Sequence, residues 1–528
     1  MADLTGLPAA AAILEKLPDT ASGAAFIQVP TEEDKQNIPK PDGVSVNWII
    51  QEDKEGKTLL EHIEQFDRAY FIGVGGIGMS ALARYFNSLG WPVAGYDKTP
   101  SPLTAKLEEE GIEIHYEDFG PSIPEGFRDI DKTLVVYTPA IPRNFGELLH
   151  VKHAGFVVKK RAEVLGMITQ NTKGLAVAGT HGKTTTSTML AHMLDVSDDK
   201  CNAFLGGISS NFQSNFVQGN SDWTVVEADE FDRSFLHLTP LASIITSTDA
   251  DHLDIYGNSD TFLEGFREYA SQIQSKGLLV RHLDVELKHK NSVSYALSRE
   301  ADYSGWNPRV EEGFFTIDVK TPIAEWKSVR LGLPGVHNAE NAIACIALAE
   351  FVGLNEEVIR EGLESFKGGK RRFEYHIREE NLVYIDDYAH HPTEIKALID
   401  SVELLYAGKR ITGIFQPHLF TRTRDFFDGF AEQLSRLDEV VLMPIYPARE
   451  EPISGITSDA LLEKVTASES RVLQAPEIVE EITRTSGLSR RDGQQDELEY
   501  ENNGQVILTI GAGDIDRIVE PLKNALLS

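Results

Sequence analysis

Cysteine is scarce: the 528 residues include two, Cys201 and Cys345. Two thiols cannot build the disulfide framework of a small secreted domain. Long apolar runs are missing too, since no stretch approaches the roughly 20 residues that span a bilayer as a helix. The chain does not open on a basic region followed by an apolar stretch, so a cytoplasmic location is expected rather than a secreted one. Positive charge is short: 50 Lys and Arg stand against 82 Asp and Glu, a net charge of -32. Such a balance repels nucleic acid and anionic membrane surfaces unless basic residues cluster, and no such cluster is present. Neither nucleic acid nor a membrane is expected as a partner. An anionic small molecule would have to be held locally, by backbone amides, a metal ion and a few placed arginines.

What is there is an ordinary globular composition, 41% hydrophobic and 25% charged, in a chain long enough for about three domains. The first 66 or so residues show no strong strand alternation and no catalytic motif. Arg68 to Val74 then reads as a strand, Met79 to Leu89 as a helix and Pro92 to Tyr96 as a strand, a βαβ unit joined by a glycine turn. Thr133 to Tyr137 reads as another buried strand. Gly174 to Ala178 opens a second strand, loop and helix series that runs through Val225 and Ile244. A third follows Lys370, with strands at Leu382 to Ile385, Arg410 to Phe415 and Val440 to Pro444, and helices from about Thr393 and over Phe426 to Leu434. The fold class is therefore α/β. Ser486 to Asn503, polar and poor in apolar residues, reads as a surface loop.

Gly179-Thr180-His181-Gly182-Lys183-Thr184-Thr185-Thr186 follows the apolar strand of the second series and precedes a helix, Ser187 to Leu194. In that setting backbone amides and a helix N-terminus cradle phosphates. Lys183 would neutralise terminal phosphates, and Thr184 would offer its hydroxyl to Mg²⁺. The loop is a shortened variant, because Val177 stands where G-x-x-x-x-G-K expects its first glycine. ATP binding is the reading. Nearer the front, Gly73, Gly75 and Gly78 fit G-x-G-x-x-G, with the acidic Asp97 about 20 residues on. Taken alone this turn suits NAD, yet it accepts any pyrophosphate, including that of a UDP-sugar, and a redox enzyme needs no second nucleotide loop downstream.

Acids and histidines close several of the expected strands. Glu227-Ala228-Asp229-Glu230 ends one and Asp249-Ala250-Asp251-His252 another. Carboxyl ends of strands line the ligand crevice of an open α/β sheet, so Glu227 and His252 would complete a magnesium site beside Thr184. His337, Asn338 and Asn341 open a helix, where they would frame an adenine base or cap the helix. Lys370-Arg371-Arg372-Phe373 lies near an apparent domain boundary, where an arginine would reach the γ-phosphate or remain solvated. Asp386-Asp387-Tyr388-Ala389-His390-His391 pairs acids with imidazoles, suited to an ammonium group and its deprotonation. Arg422 and Arg424 follow Gln416-Pro417-His418 and suit a carboxylate.

Taken together the ordered elements GVGGIGMS, GTHGKTTT, EADEFDRSFLHL, DADHLDIY, VHNAEN, KRRFE, DDYAHHPTE, QPHLFTRTRDF and GAGDI resemble the Mur ligase family, over about residues 68 to 528. The resemblance implies a three-domain architecture: a Rossmann-like domain for a UDP-sugar over residues 67–171, a P-loop ATPase domain over 172–368 and a Rossmann-like amino-acid domain over 369–528. Residues 1–66 stand outside it as an extension. It places Gly73, Gly75, Gly76, Gly78, Met79, Ser80 and Asp97 on the UDP-sugar. Gly179 to Thr185, His337, Asn338, Asn341 and Arg372 fall on ATP, and Thr184, Glu227 and His252 on Mg²⁺. Asp387, His390, Arg422 and Arg424 fall at the alanine pocket, with Lys183, Arg372, His390 and Asp387 as the catalytic set. The family's frequent arginine after Gln-Pro-His is here Leu419. The activity implied is ATP-dependent joining of L-alanine to the lactyl carboxylate of UDP-N-acetylmuramate, a step of peptidoglycan precursor synthesis. One alternative is a recycling ligase of the same family that attaches a preformed tripeptide to that sugar. Another is a UDP-sugar sensor that uses ATP only to change conformation. Oligomeric state stays open.

Overall fold

In the computed structural model, residues 66–142, 144–249, 256, 258–448, 450–485 and 504–528 are described, with 16, 18, 23–29, 40, 41 and 44–50 of the amino-terminal segment. The polar stretch from Ser486 to Asn503 and the metal candidate His252 lie outside them. Within the extension, where no strand pattern was expected, Gly23–Val29 and Val44–Ile50 pair as parallel strands. Val44–Ile50 is rich in β-branched and aromatic residues, a composition that fits a pleated surface even where alternation is broken.

The chain divides into two compact units, Met1–Gly75 with Phe86–Asn171, and Gly76–Tyr85 with Thr172–Ser528. The first is built on a five-stranded parallel sheet, in the order Glu113–His115, Val93–Tyr96, Arg68–Ile72, Thr133–Tyr137, Val157–Lys160. Arg68–Ile72 and Thr133–Tyr137 are nearly continuous apolar runs because both faces of a parallel sheet are covered. From Arg68–Ile72 the chain winds first to one side and then to the other, so the order reverses there. That is the switch point at which open α/β sheets hold ligands, and the glycine turn sits at its carboxyl end.

The second unit carries two sheets. The larger has ten strands, and Lys173–Ala178 lies inside it between Trp223–Glu227 and Ala242–Ile245, all three parallel. The chain again winds both ways from its first strand, which brings the phosphate loop, Glu227 and the segment after Ile245 to one edge. Beyond Ser292–Leu297 the sheet continues into antiparallel strands Tyr303–Glu311, Phe314–Lys320 and Glu325–Leu331. The smaller sheet runs Glu374–Arg378, Leu382–Asp387, Gln505–Ile510, Arg410–Phe415, Glu439–Leu442, Glu469–Val472, parallel except for its first strand.

Helix Val336–Val352 is buried from Ala342 through Ala349 without a polar face, as expected of an interior helix. Its small side chains, Ala339, Ala342, Ala344, Ala347 and Ala349, permit close packing against helix Lys183–Val196. That packing holds His337, Asn338 and Asn341 beside the phosphate loop. The helix expected from Phe426 to Leu434 is present as Phe427–Leu434, and a further short helix, Phe420–Asp425, precedes it with a break at Phe426.

Candidate active site

The phosphate loop is fixed by a few demanding contacts. Gly182 caps helix Lys183–Val196 at φ 78°, and a Cβ there would stand 2.8 Å from Asn341 Oδ1. Glycine is required on both counts. The segment after Ala242–Ile245 braces the loop: Thr246 Oγ1 donates to the His181 carbonyl at 2.5 Å, His181 N donates to Ser247 Oγ at 3.1 Å, and Thr180 Oγ1 donates to the Asp249 carbonyl at 2.8 Å. The helix N-terminus then offers free N–H groups and a positive dipole end to an anion.

Lys183 Nζ donates to the Gly179 carbonyl at 2.7 Å and pairs with buried Glu230 at 2.8 Å. Burial works against its charge, but Glu230 and Glu227 outweigh that and hold the ammonium protonated. Glu230 was absent from the sequence-derived set. Its spacing from Lys183 carries no signal, since the two meet only because the strands that precede them, Lys173–Ala178 and Trp223–Glu227, pair in parallel.

Glu227 ends its strand with Oε2 buried and without a hydrogen-bond partner. Burial raises its pKa against the opposing charge of Lys183 and a hydrogen bond with the Thr184 hydroxyl. A Cβ on Gly206 would lie 2.2 Å from that same oxygen, so the glycine leaves room for the carboxylate. An orphaned carboxylate oxygen beside a threonine hydroxyl at a phosphate loop is a donor set that fits a hard cation.

Two cavities abut here. One, of about 340 Å³, is lined by Gly182, Thr185, His337, Asn338, Asn341 and Arg372 among others. Asn338 does not cap its helix; Gly335 stands at the N-cap, and Asn338 Nδ2 donates to the Pro334 carbonyl at 2.7 Å. Its Oδ1 and His337 Nδ1 are buried without partners, and burial pushes the His337 pKa down to about 4. Two unsatisfied, uncharged polar atoms in a cavity of this size are what a heterocyclic base would complete.

The second cavity, of about 520 Å³, is lined by Lys183, Thr184, Glu227, Arg372, His390 and Arg422 among others. Arg372 borders both, and its loop is built to present it. Arg371 and Phe373 on either side have φ of 59° and 53°, unusual for non-glycine residues. Each costs on the order of 1–3 kcal/mol and persists only where surroundings over-determine it. Here Arg371 Nε donates to Asp386 at 2.9 Å, its Nη2 donates to the Gly511 carbonyl at 2.6 Å, and Phe373 N donates to Asp387 Oδ2 at 2.7 Å. Arg371 is consumed as an anchor, which leaves Arg372 for the cavity.

Asp387 lies on the first cavity with both oxygens on backbone amides, of Phe373 and Ala389, and not on the cavity that holds Arg422. Burial drives its pKa up to about 6 against Arg372 and those amides. His390 Nδ1 faces the Tyr388 carbonyl at 3.0 Å and Glu394 Oε2 at 3.4 Å, both acceptors. The proton therefore sits on Nδ1, leaving the Nε2 lone pair free, and burial lowers the pKa so that the ring is neutral near pH 7. Glu394 also accepts the His390 backbone N–H at 2.9 Å and faces His181 Nδ1 at 3.5 Å. It ties the phosphate loop to the His390 turn, and burial fails to raise its pKa because of the hydrogen bond with His181 and the field of His390.

Arg422 is held by His418 Nδ1 at 3.3 Å and borders the second cavity. Arg424 is directed elsewhere, 52% exposed and paired with Asp425 at 2.8 Å. Leu419 occupies the N-cap of its short helix at φ 70° and borders neither cavity.

Gly75 N donates to Asp97 Oδ2 at 2.7 Å, so Asp97 shapes the glycine turn itself. A Cβ on Gly75 would lie 2.8 Å from that oxygen. Gly76 is exposed and Gly78 half-buried, whereas Met79 and Ser80 are buried, with Ser80 Oγ donating to the Ile77 carbonyl at 2.9 Å.

Three family models match in order: Mur ligase family, catalytic domain, over residues 68–173; Mur ligase middle domain, over 177–349; and Mur ligase, glutamate ligase domain, over 371–513. A siderophore-interacting protein model matches residues 1–92, overlapping the first of these from 68 to 92. The UDP-N-acetylmuramate–L-alanine ligase of Flavobacterium johnsoniae is 48% identical over 465 residues, covering 88% of this chain and 99% of that protein. The enzyme of the same name from Parabacteroides distasonis is 47% identical, covering 88% and 98%. Among solved structures, the UDP-N-acetylmuramate-alanine ligase MurC of Thermotoga maritima superposes with a TM-score of 0.71 at 27% identity, covering 87% and 99%. A phosphate loop, an orphaned acid at its side and an arginine loop facing both, in the three-domain α/β order of those matches, place the chain in the Mur ligase family.

Proposed function

We propose that the chain is an ATP-dependent ligase joining L-alanine to the lactyl carboxylate of UDP-N-acetylmuramate, in peptidoglycan precursor synthesis in the cytoplasm. The observation that carries this is one cavity bordered at once by Lys183, Glu227, Arg372, His390 and Arg422. It brings phosphate, carboxylate and amine chemistry within one enclosure. The curated relatives, aligned over nearly their whole length, bear that activity in their names. In this reading residues 67–171 hold the UDP-sugar on the glycine turn, 172–368 hold ATP and 369–528 hold the amino acid, with 1–66 as an extension. Among the described residues, no helix is long and apolar enough to cross a membrane.

An unactivated carboxylate does not acylate an amine at neutral pH. The lactyl carboxylate therefore attacks the γ-phosphorus of ATP, giving an acyl phosphate and ADP. Lys183 and Arg372 stabilise charge on the transferring phosphoryl group. Thr184 and Glu227 would hold Mg²⁺, whose chemistry is to neutralise the phosphate oxygens. Alanine's neutral amine then attacks the acyl carbon, inorganic phosphate leaves, and the amine proton passes to His390 Nε2. Asp387 acts by holding the Arg372 loop.

Arg422 is the anchor for alanine's carboxylate. Arg422→Ala should raise the KM for alanine by about 10- to 100-fold, the loss of a charge-assisted contact, while Arg424→Ala changes it by less than about twofold. Equal effects of the two would remove Arg422 from the pocket. Phosphate release from ATP and UDP-N-acetylmuramate should require L-alanine and not proceed with the L-Ala-D-Glu-diaminopimelate tripeptide. Release with the tripeptide alone would make this the recycling enzyme, and release with neither would make it a sensor.

A further inference from the structure

Beside the arginine loop, strand Glu374–Arg378 pairs antiparallel with Leu382–Asp387, and the register sets Glu374 directly across from Asp386. Two carboxylates so placed repel one another. The pairing slips between Tyr375 and Ile377, leaving His376 as the extra residue of a bulge, a device that re-aims a side chain. The His376 side chain is only 10% exposed, and its Nε2 is buried, without a hydrogen-bond partner, 3.9 Å from Glu374 Oε2. One donor atom from each of Glu374, His376 and Asp386 lies within 4.8 Å of the other two. Ligands on one tetrahedral zinc ion stand about 3.5 Å apart, so closing the set takes a small adjustment.

The other partners of these groups orient them without reaching the imidazole nitrogen. Arg371 Nε donates to Asp386 Oδ2 at 2.9 Å, Thr509 Oγ1 donates to Asp386 Oδ1 at 2.6 Å, and Arg371 N donates to Glu374 Oε2 at 2.7 Å. A carboxylate has about four acceptor positions, so each keeps capacity for another ligand. Glu520 Oε1 faces His376 Nδ1 at 3.8 Å, on the side where a metal-bound histidine usually meets a carboxylate. With Glu520 included, three carboxylates face the Arg371 guanidinium and Lys523 Nζ, the latter 3.6 Å from Glu520 Oε1, leaving net negative charge.

We propose that Glu374, His376 and Asp386 form a site for a divalent transition-metal ion of the zinc class, separate from the phosphate loop. One imidazole with two carboxylates suits Zn²⁺, Co²⁺ or Mn²⁺, whereas Mg²⁺ and Ca²⁺ prefer oxygen alone. A bound ion cross-links two strands at the base of the loop that carries Arg372, and so stiffens that loop.

The test uses tag-free full-length protein, stripped with a chelator, returned to excess Mg²⁺ and titrated with Co²⁺ and Zn²⁺ by calorimetry and visible absorption. The expected result is one Co²⁺ per chain with d–d bands of nitrogen and oxygen ligation, displaced by Zn²⁺, and a raised melting temperature. His376→Ala and, separately, Glu374→Gln should each weaken binding by at least about tenfold, with Mg²⁺-supported ligation retained. Glu374→Gln is nearly isosteric, so the test stands even where His376→Ala fails to fold. Binding unchanged in the variants, or no Co²⁺ bound by the parent chain, overturns the site.

Discussion

Lys183→Ala is expected to reduce ligation by at least about a thousandfold, because in the proposed mechanism it removes the cation that stabilises the transferring phosphoryl group. The same change removes the cation paired with Glu230. That carboxylate is 1% exposed, and leaving it uncompensated costs about 3–5 kcal/mol of stability. Two effects are thus superimposed, and a second substitution separates them. In Lys183→Ala with Glu230→Gln the buried charge is gone, so thermal stability should recover most of the loss while activity stays absent. Near-normal turnover by a folded Lys183→Ala protein would remove the lysine from the chemistry. Recovery of activity in the double variant would reduce it to a structural counter-ion.

Arg372→Ala should lower kcat by about 10³- to 10⁵-fold, the range for a cation acting on a transferring phosphoryl group, with a smaller change in the KM for ATP. Arg372→Lys should recover little of it, since a point charge does not reproduce a planar fork of donors. Arg371→Ala is the informative contrast. Arg371 is bound to Asp386 and the Gly511 carbonyl, so its loss should loosen the loop and cost stability as well as rate. A kcat defect in Arg371→Ala larger than in Arg372→Ala would reverse the two roles.

Some of this was legible in the chain and some was not, for physical reasons. Gly179 to Thr185 can be read because phosphate binding is done by backbone at a strand-to-helix turn, which leaves glycines and a lysine at fixed spacing. Glu227 is singled out in the sequence because strand ends line ligand crevices, and in the structure its Oε2 is buried without a hydrogen-bond partner. The run Lys370-Arg371-Arg372 by itself does not separate its two arginines, and only the resemblance chose Arg372; the physical difference lies in which guanidinium meets Asp386 across a strand pairing. Asp387 was assigned to the amine, yet its oxygens face the amides of Phe373 and Ala389; a paired acid and imidazole in sequence does not show which way each turns. Glu230 and Glu394 escaped because their partners, Lys183 and His181, are distant in sequence. The three antiparallel strands from Tyr303 to Leu331 went unread beyond Ile244, where no motif marks them.

The most direct test of the account follows the oxygen atoms. UDP-N-acetylmuramate labelled with ¹⁸O in both oxygens of its lactyl carboxylate is turned over with ATP and L-alanine, and the inorganic phosphate is examined by mass spectrometry. Attack on the γ-phosphorus predicts a labelled oxygen in each phosphate released, its fellow retained in the new amide, and unlabelled ADP. Phosphate free of label, or label carried into AMP, would contradict it.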